Sequence, residues 1–239
     1  MAYIDDAGDF GAQGTPLACL VALVFTREDG LLARRRLRAL VSGWMQSFSI
    51  ERRPEIHCPK WIRDIEHSTG LTQSDWHVLI KTFIDELALS KAILVSIVLD
   101  KKANQPTNVE GDPETIVWHR LFEEVLVRAK LADPDRIEWR IDGRGNRFTE
   151  AGAKLVRTTC RESCGISPAV CGALPRYLNS EGEILIQAAD VAVHFLYQAL
   201  QPARSHLELK LDFDIEAFNP LCDKSVLSDS IQVRLPSQQ

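Results

Sequence analysis

The sequence predicts an α/β protein with a mixed sheet, an N-terminal antiparallel hairpin and helices on both faces of the sheet. Two apolar segments flank a glycine-containing loop near the N-terminus, which is typical of a hairpin. After it, segments with helical periodicity alternate with apolar, β-branched segments. No internal repeat is present in the sequence, so we expect a single domain over residues 1–239, with a core of about residues 1–200 and a C-terminal extension at 201–239.

The predicted hairpin begins with Ala2–Ile4, a short strand that ends at Asp5. Its partner is the apolar run Leu17–Phe25, which follows a loop containing three glycines. Helical spacing, capping residues and β-branched runs predict the later elements in order: helices at about 31–46 and 72–90, a buried strand at 92–99, a helix at 113–131, a strand at 136–141, a helix at 147–161, a weaker strand at 170–177 and a helix at 183–200.

Composition narrows the class of protein. The chain is 45% hydrophobic and 26% charged, as in ordinary globular proteins. Its apolar runs are shorter than the roughly 18 residues that span a bilayer, and no export signal precedes the first strand. We therefore expect a cytoplasmic protein that does not contact a membrane.

Charge gives a mixed indication about nucleic acid. The net charge of −5 argues against a nonspecific nucleic-acid binder. Basic residues nevertheless cluster, and such clusters either hold a phosphate backbone or are solvated helix faces. The clustered residues are Arg34, Arg35, Arg36, Arg38, Arg52, Arg53, Arg136, Arg140, Arg144 and Arg147.

The six cysteines form no C-x-x-C pair, so we expect reduced thiols rather than a zinc module. Cys160, Cys164 and Cys171 could close a zinc site together with His57. Buried thiols that serve as packing are the alternative interpretation.

Three aspartates are conspicuous by position. Asp5 ends the first predicted strand, Asp142 follows a later strand, and Asp190 lies inside an apolar helix. Gln187 and His194 lie three residues before and four after Asp190, on the same helical face. A buried carboxylate must be protonated, paired or bound to a metal.

Divalent metal binding would satisfy several carboxylates together. Mg²⁺ prefers oxygen ligands, and two ions about 4 Å apart can drive phosphodiester cleavage. The sequence therefore suggests Asp5, Asp142 and Asp190 as ligands of Mg²⁺ or Mn²⁺. The alternative is that Asp190 pairs with an arginine and Asp142 caps a turn.

The order of several short motifs resembles that of domain-of-unknown-function family 3800. The resemblance covers about residues 3–200 and implies a ribonuclease H-like fold, whose acidic cluster holds two metals. It rests on the following segments: Tyr3-Ile4-Asp5-Asp6-Ala7-Gly8-Asp9, Glu55-Ile56-His57, the strand ending at 97–101, Asp142 and Gln187-Ala188-Ala189-Asp190.

The resemblance also implies roles for individual residues. Asp6 stands where the family usually has Glu, and Ala7 where it usually has Ser, so Asp6 would be a metal ligand with a shorter reach. Glu55 would add a carboxylate and His57 a general acid or base. The alternative interpretation is that these two residues only pair with each other within an irregular loop. Gln187 would orient Asp190 or a metal-bound water.

The leading functional hypothesis is a metal-dependent nuclease acting on DNA or RNA, in the prokaryotic or phage setting that the resemblance implies. The alternative is a catalytically degenerate member that binds nucleic acid or a protein partner. A phosphatase or nucleotide hydrolase is a third reading, although the chain carries no P-loop or G-x-G-x-x-G fingerprint. The sequence leaves a homo-oligomer open.

Overall fold

A computed structural model describes residues 1–8, 17–50, 55–56, 72–100, 113–132, 137–142, 176–200 and 231–232. These residues form an α/β structure, as predicted. Its elements are β1 (Ala2–Gly8), β2 (Leu17–Val24), α1 (Arg27–Ser47), α2 (Gln73–Leu89), β3 (Ile93–Asp100), α3 (Pro113–Ala132), β4 (Trp139–Asp142), β5 (Arg176–Leu178), α4 (Ile184–Leu200) and β6 (Ile231–Gln232). A 3₁₀ helix at Ser180–Gly182 precedes α4.

The strands form one mixed sheet in the order β5-β4-β1-β2-β3-β6. Antiparallel pairing joins β1 to β2 and β2 to β3, which confirms the N-terminal hairpin. Parallel pairing joins β4 to β1, β5 to β4 and the two-residue β6 to β3. The central strands are β1 and β2, and the C-terminal extension contributes an edge strand.

The first strand is longer than predicted, and the expectation that Asp5 ends it was wrong. Asp5 lies in the middle of β1 opposite Val21, and pairing continues to Gly8 opposite Ala18. Gly8 has a φ of 93°, and a Cβ there would lie 2.5 Å from the carbonyl oxygen of Leu17. Glycine adopts this backbone conformation and fits this space because it has no Cβ, so Gly8 allows the strand to end here.

Helix α2 begins directly after the predicted capping residue Thr72. The side-chain oxygen of Thr72 accepts a hydrogen bond from the Asp75 N–H, and the Asp75 carboxylate accepts one from the Thr72 N–H, which is a complete capping box. Thr26 caps α1 in the same way through the N–H of Asp29. The first helix therefore starts at Arg27, four residues earlier than the apolar spacing alone predicted.

Helices cover both faces of the sheet, as predicted. Side chains alternate between the faces along each strand. One face packs against α1, α2 and α4 in a core that includes Tyr3, Val21 and Leu94. The other face packs against α3 in a second core that includes Ile4 and Trp139.

Several predicted features lie outside the described residues. They are the helix at 147–161, most of the weaker strand at 170–177, His57, the arginines at 52, 53, 136, 144 and 147, and all cysteines except Cys19. Among the helices that the structure does describe, none has the length and apolar character of a membrane span.

Candidate acidic site

The register of the central strands brings Asp5 and Asp142 together. Strand β4 runs parallel to β1, with Tyr3 beside Arg140 and Ile4 beside Ile141. The next step along both strands places Asp142, the last residue of β4, beside Asp5. Adjacent strands are about 4.8 Å apart, so these two residues are neighbours on the sheet.

The two carboxylates also share a face. Ile4, Trp139 and Ile141 belong to the core under α3, so the alternating residues Asp5 and Asp142 project toward the opposite face. That is the face on which α4 packs against β1 and β2. The side chain of Asp5 is buried there, with 7% of its surface exposed.

Helix α4 supplies the third aspartate to this face. Residues 184–197 of α4 are all buried, which accounts for the apolar sequence around Asp190. Asp190 itself is 6% exposed, and Gln187 and His194 on the same helical face are also buried. Helix α4 therefore places a third aspartate on the face of the sheet that carries Asp5 and Asp142.

The electrostatics of Asp5 indicate that the other aspartates lie near it. Burial raises the pKa of Asp5 well above its ordinary value of 3.8, and the negative charges of Asp190, Asp6 and Asp142 raise it further. A hydrogen bond from the Asp6 N–H to Asp5 Oδ1, 2.8 Å long, acts in the opposite direction. The region therefore concentrates negative charge that a cation would relieve.

Asp6 is in a different position from the other three aspartates. Strand alternation directs its side chain toward the opposite face of the sheet from Asp5, and the residue is exposed. Its charge still contributes to the raised pKa of Asp5. Its role as a ligand stays a prediction from the resemblance.

The Glu55–Ile56 segment is tied to the beginning of α4. Ser180 donates a hydrogen bond of 2.6 Å to Glu55 Oε1. The Ile56 N–H donates to Gln187 Oε1 at 3.2 Å, and Gln187 Nε2 donates to the Ser180 carbonyl at 2.6 Å. The resemblance implied that Gln187 orients Asp190 or a metal-bound water, and this stays a prediction. The hydrogen bonds of Gln187 connect α4 to Ile56, which is distant in the sequence, and to Ser180 in the turn before the helix.

A charged cluster lies on the same face as the aspartates. Its residues come earlier along each element, with Tyr3 two residues before Asp5 and Arg140 two residues before Asp142. Arg34 donates to both carboxylate oxygens of Glu183, at 3.1 and 2.8 Å, and to the Tyr3 hydroxyl at 2.8 Å. Arg140 lies 3.6 Å from Glu183 and 5.3 Å from the centre of the Tyr3 ring. This cluster joins α1, β1 and β4 to the start of α4.

Sequence reasoning missed the role of Glu183 and Tyr3 in this cluster. A signal was present, because Tyr3 stands two residues before Asp5 and therefore shares its face of the strand. Glu183 likewise stands one helical turn before Gln187. Extending the predicted site to the nearest same-face neighbours, two residues before Asp5 and four before Gln187, would have identified both Tyr3 and Glu183.

The donor set of the three aspartates suits a hard divalent cation, since carboxylate oxygens are the ligands that Mg²⁺ prefers. Within the described part of the chain, no group of three or more His, Cys, Asp or Glu side chains is arranged to hold a metal ion. Joint binding of a cation by Asp5, Asp142 and Asp190 would therefore require their side chains to rearrange while the strands and the helix stay in place.

Comparison with known proteins gives no family assignment. No family model matches the chain, and no curated protein matches it significantly.

Proposed function

We propose that this protein is a nuclease that uses Mg²⁺ or Mn²⁺ to hydrolyse phosphodiester bonds, with Asp5, Asp142 and Asp190 as the metal ligands. The observation that carries the proposal is the convergence of these aspartates on one face of the sheet. The raised pKa of Asp5, caused in part by Asp190 and Asp142, supports their proximity.

The ligands come from elements that are firmly held. Asp5 and Asp142 lie on adjacent strands, and Asp190 lies on a helix packed over them. Sites built on strands and helices keep their geometry better than sites on loops. When bound, a divalent metal would supply an activated water and stabilise the leaving oxygen. The protein's part is to hold the carboxylates and exclude bulk water.

Nucleic acid is the substrate class that we propose. The resemblance to family 3800 suggests it, and a mixed sheet with acidic residues on two adjacent strands and the covering helix agrees with the ribonuclease H-like fold that this resemblance implies. Exposed arginines offer phosphate contacts nearby. Arg35 is exposed on α1, and Arg38 on the same helix donates to the Gly182 carbonyl at 3.3 Å, beside the start of α4.

A second candidate function is binding without catalysis. The position and exposure of Asp6 favour it, because the resemblance expects a longer Glu side chain there. A protein with one ligand too short would bind nucleic acid or a protein partner and cleave nothing. Metal affinity and cleavage must therefore be measured separately.

The decisive experiment is cleavage of labelled single- and double-stranded DNA and RNA in Mg²⁺ or Mn²⁺. We expect Asp5→Asn, Asp142→Asn and Asp190→Asn each to reduce the rate about 100-fold or more, since even groups that only support metal ligands contribute 10–100-fold. Asp85→Asn is the matched control, because Asp85 is a partly exposed aspartate of α2 paired with Lys81. Equal activity in all variants would reject the assignment.

Calorimetric titration with Mn²⁺ separates the two candidate functions. A nuclease binds the ion and cleaves, and both properties disappear in Asp190→Asn. A binding protein of the second kind retains nucleic-acid affinity and shows no metal-dependent cleavage. Binding of Mn²⁺ by wild type and Asp190→Asn with equal affinity would place the ion elsewhere.

A further inference from the structure

Gln187 is a polar residue in an apolar environment, and its surroundings raise the question of what it does there. It is 1% exposed in a helix whose neighbouring positions are occupied by Ile, Leu, Ala and Val. A buried amide is tolerated only if its donors and acceptor are satisfied. The partners of this amide therefore indicate its purpose.

Both ends of the Gln187 amide are hydrogen-bonded, the oxygen to a distant segment and the nitrogen to the turn that precedes α4. Its oxygen accepts from the Ile56 N–H at 3.2 Å, which fixes the backbone directly after Glu55. Its nitrogen donates to the Ser180 carbonyl at 2.6 Å and to the Glu181 carbonyl at 3.5 Å. The Ser180 hydroxyl in turn donates to Glu55 Oε1 at 2.6 Å. These bonds form a chain from α4 to the Glu55 carboxylate.

The packing of Ile56 and Ser180 reinforces this chain of hydrogen bonds. Ile56 is fully buried in the core between the sheet and α1, α2 and α4. Its side chain therefore anchors the segment to this core. Ser180 is also buried, at 4% exposure, and Glu55 is half-buried, so the bond from the Ser180 hydroxyl to Glu55 is partly shielded from water. A shielded hydrogen bond from a neutral donor to a carboxylate is stronger than an exposed one.

The location of this chain of hydrogen bonds suggests a function for it. Gln187 and Asp190 are three residues apart on α4, so their side chains are neighbours on one helical face, about 5–6 Å apart at Cβ. Through its bond to the Ile56 N–H, Gln187 therefore links this segment to the helical face that carries Asp190. Glu55 is the only carboxylate that this segment carries in residues 55–56.

We propose that Ser180 and Gln187 are positioning residues that hold Glu55 beside Asp190 as a fourth carboxylate of the site. This inference rests on the metal-binding function proposed above. It replaces the expectation that Gln187 orients Asp190 directly, and it gives Ser180 a role in cation binding. The two residues act through Glu55 and do not themselves contact the cation.

A double-mutant cycle tests the proposal, with Mn²⁺ alone as the probe and calorimetry as the readout. We expect Glu55→Gln to weaken Mn²⁺ binding and Ser180→Ala to weaken it about tenfold, the lower end of the range for groups that support metal ligands. In the Glu55→Gln background, Ser180→Ala should have no further effect, since it acts through the carboxylate already removed. Gln187→Met is expected to behave like Ser180→Ala in the same cycle.

The matched control is Ser96→Ala. Ser96 is a buried serine of β3, and its hydroxyl has no hydrogen-bond partner among the described residues. It lies opposite Val21, two strands from Asp5. Its loss should leave Mn²⁺ affinity unchanged. Thermal unfolding of every variant identifies a purely structural role, which would lower the melting temperature and leave the Mn²⁺ affinity of the folded protein unaltered.

A measurement on the wild-type protein keeps the proposal testable if a variant fails to fold. Hydrogen exchange at the Ile56 N–H should slow several-fold when Mg²⁺ is added, because the cation would fix Glu55, while exchange at the Val98 N–H in β3 should change less. Unchanged exchange at Ile56 would overturn the proposal.

The outcomes distinguish this inference from the function beneath it. If wild type binds Mn²⁺ and loses it in Asp190→Asn, but Ser180→Ala has its full effect in the Glu55→Gln background or no effect at all, the positioning role is wrong and the metal site stands. If wild type binds no Mn²⁺, the proposed function fails and this inference fails with it.

Discussion

The two faces of the central sheet differ in what they bury. The face under α3 is packed with apolar and aromatic side chains, including an edge-to-face pair of Phe122 and Trp139 with ring centres 4.8 Å apart. The face under α1, α2 and α4 also has an apolar core, but all six buried polar or charged residues of the described chain lie on this side. They are Asp5, Ser96, Ser180, Gln187, Asp190 and His194.

This difference suggests a division of labour between the faces. Apolar burial contributes stability without directional requirements, whereas buried polar groups lower stability unless each finds a partner. Concentrating them on one face confines that cost to the layer where the proposed chemistry occurs. The α3 face can then stabilise the same strands that carry Asp5 and Asp142.

The largest expected effect is a loss of stability caused by a substitution on the α3 face. Phe122→Ala removes a fully buried ring from the α3 face and should lower the free energy of unfolding by about 3–5 kcal/mol. Urea unfolding measures the loss. Mn²⁺ affinity of the protein that stays folded should not change. If it falls as much as in Asp190→Asn, the two faces are not separable and the comparison fails.

A smaller effect is expected in the charged cluster that joins the layers on the α4 face. Glu183→Gln removes the partner shared by Arg34 and Arg140, whose side chains are only 19% and 18% exposed. Leaving these guanidinium groups less well satisfied should cost about 1–3 kcal/mol. Urea unfolding again provides the measurement.

The control for Glu183→Gln is Asp85→Asn, which breaks an exposed pair with Lys81 four residues away on α2. Such pairs contribute about 0.5 kcal/mol or less. Equal losses in the two variants would show that the cluster on the α4 face is no more than a surface ion pair.

The same contrast explains how much of the fold the sequence could predict. Local patterns were sufficient for the hairpin and for most helix ends, because capping residues such as Thr72 and apolar spacing act within a few residues. They also identified Asp190, since a charged residue in an apolar helix is unusual wherever the helix lies. The α/β class follows from these elements alone.

Features that depend on contacts between distant residues could not be predicted in this way. Asp5 was expected at a strand end, but pairing with β2 extends the strand to Gly8. The position of Asp142 beside Asp5 depends on the register between β4 and β1, which no local pattern encodes. The bond between Ser180 and Glu55 joins residues 125 apart in the sequence. Register and tertiary hydrogen bonds therefore account for what sequence reasoning missed.

The smallest expected change in stability is a gain rather than a loss. It follows from the crowding of carboxylates on the α4 face. The pKa of Asp5 is raised in the folded protein, so the folded state binds more protons than the unfolded state above pH 3.8, the ordinary value for Asp. Stability of the metal-free protein should consequently fall as pH rises from about 4 through the raised pKa. Asp5→Asn carries no charge and escapes this loss.

At neutral pH in a chelator, Asp5→Asn should therefore be more stable than wild type, by about 0.5–2 kcal/mol, the usual size of a stabilising substitution. Urea unfolding of both proteins at several pH values measures the difference, which should vanish below pH 4. A difference that is absent or reversed at neutral pH would mean that Asp5 is not crowded. With Mn²⁺ at 100 times its Kd, wild type alone should gain about 2.7 kcal/mol, because only its carboxylates bind the ion. The order of stabilities would then invert, as expected of a site whose charges destabilise the fold until a cation joins them.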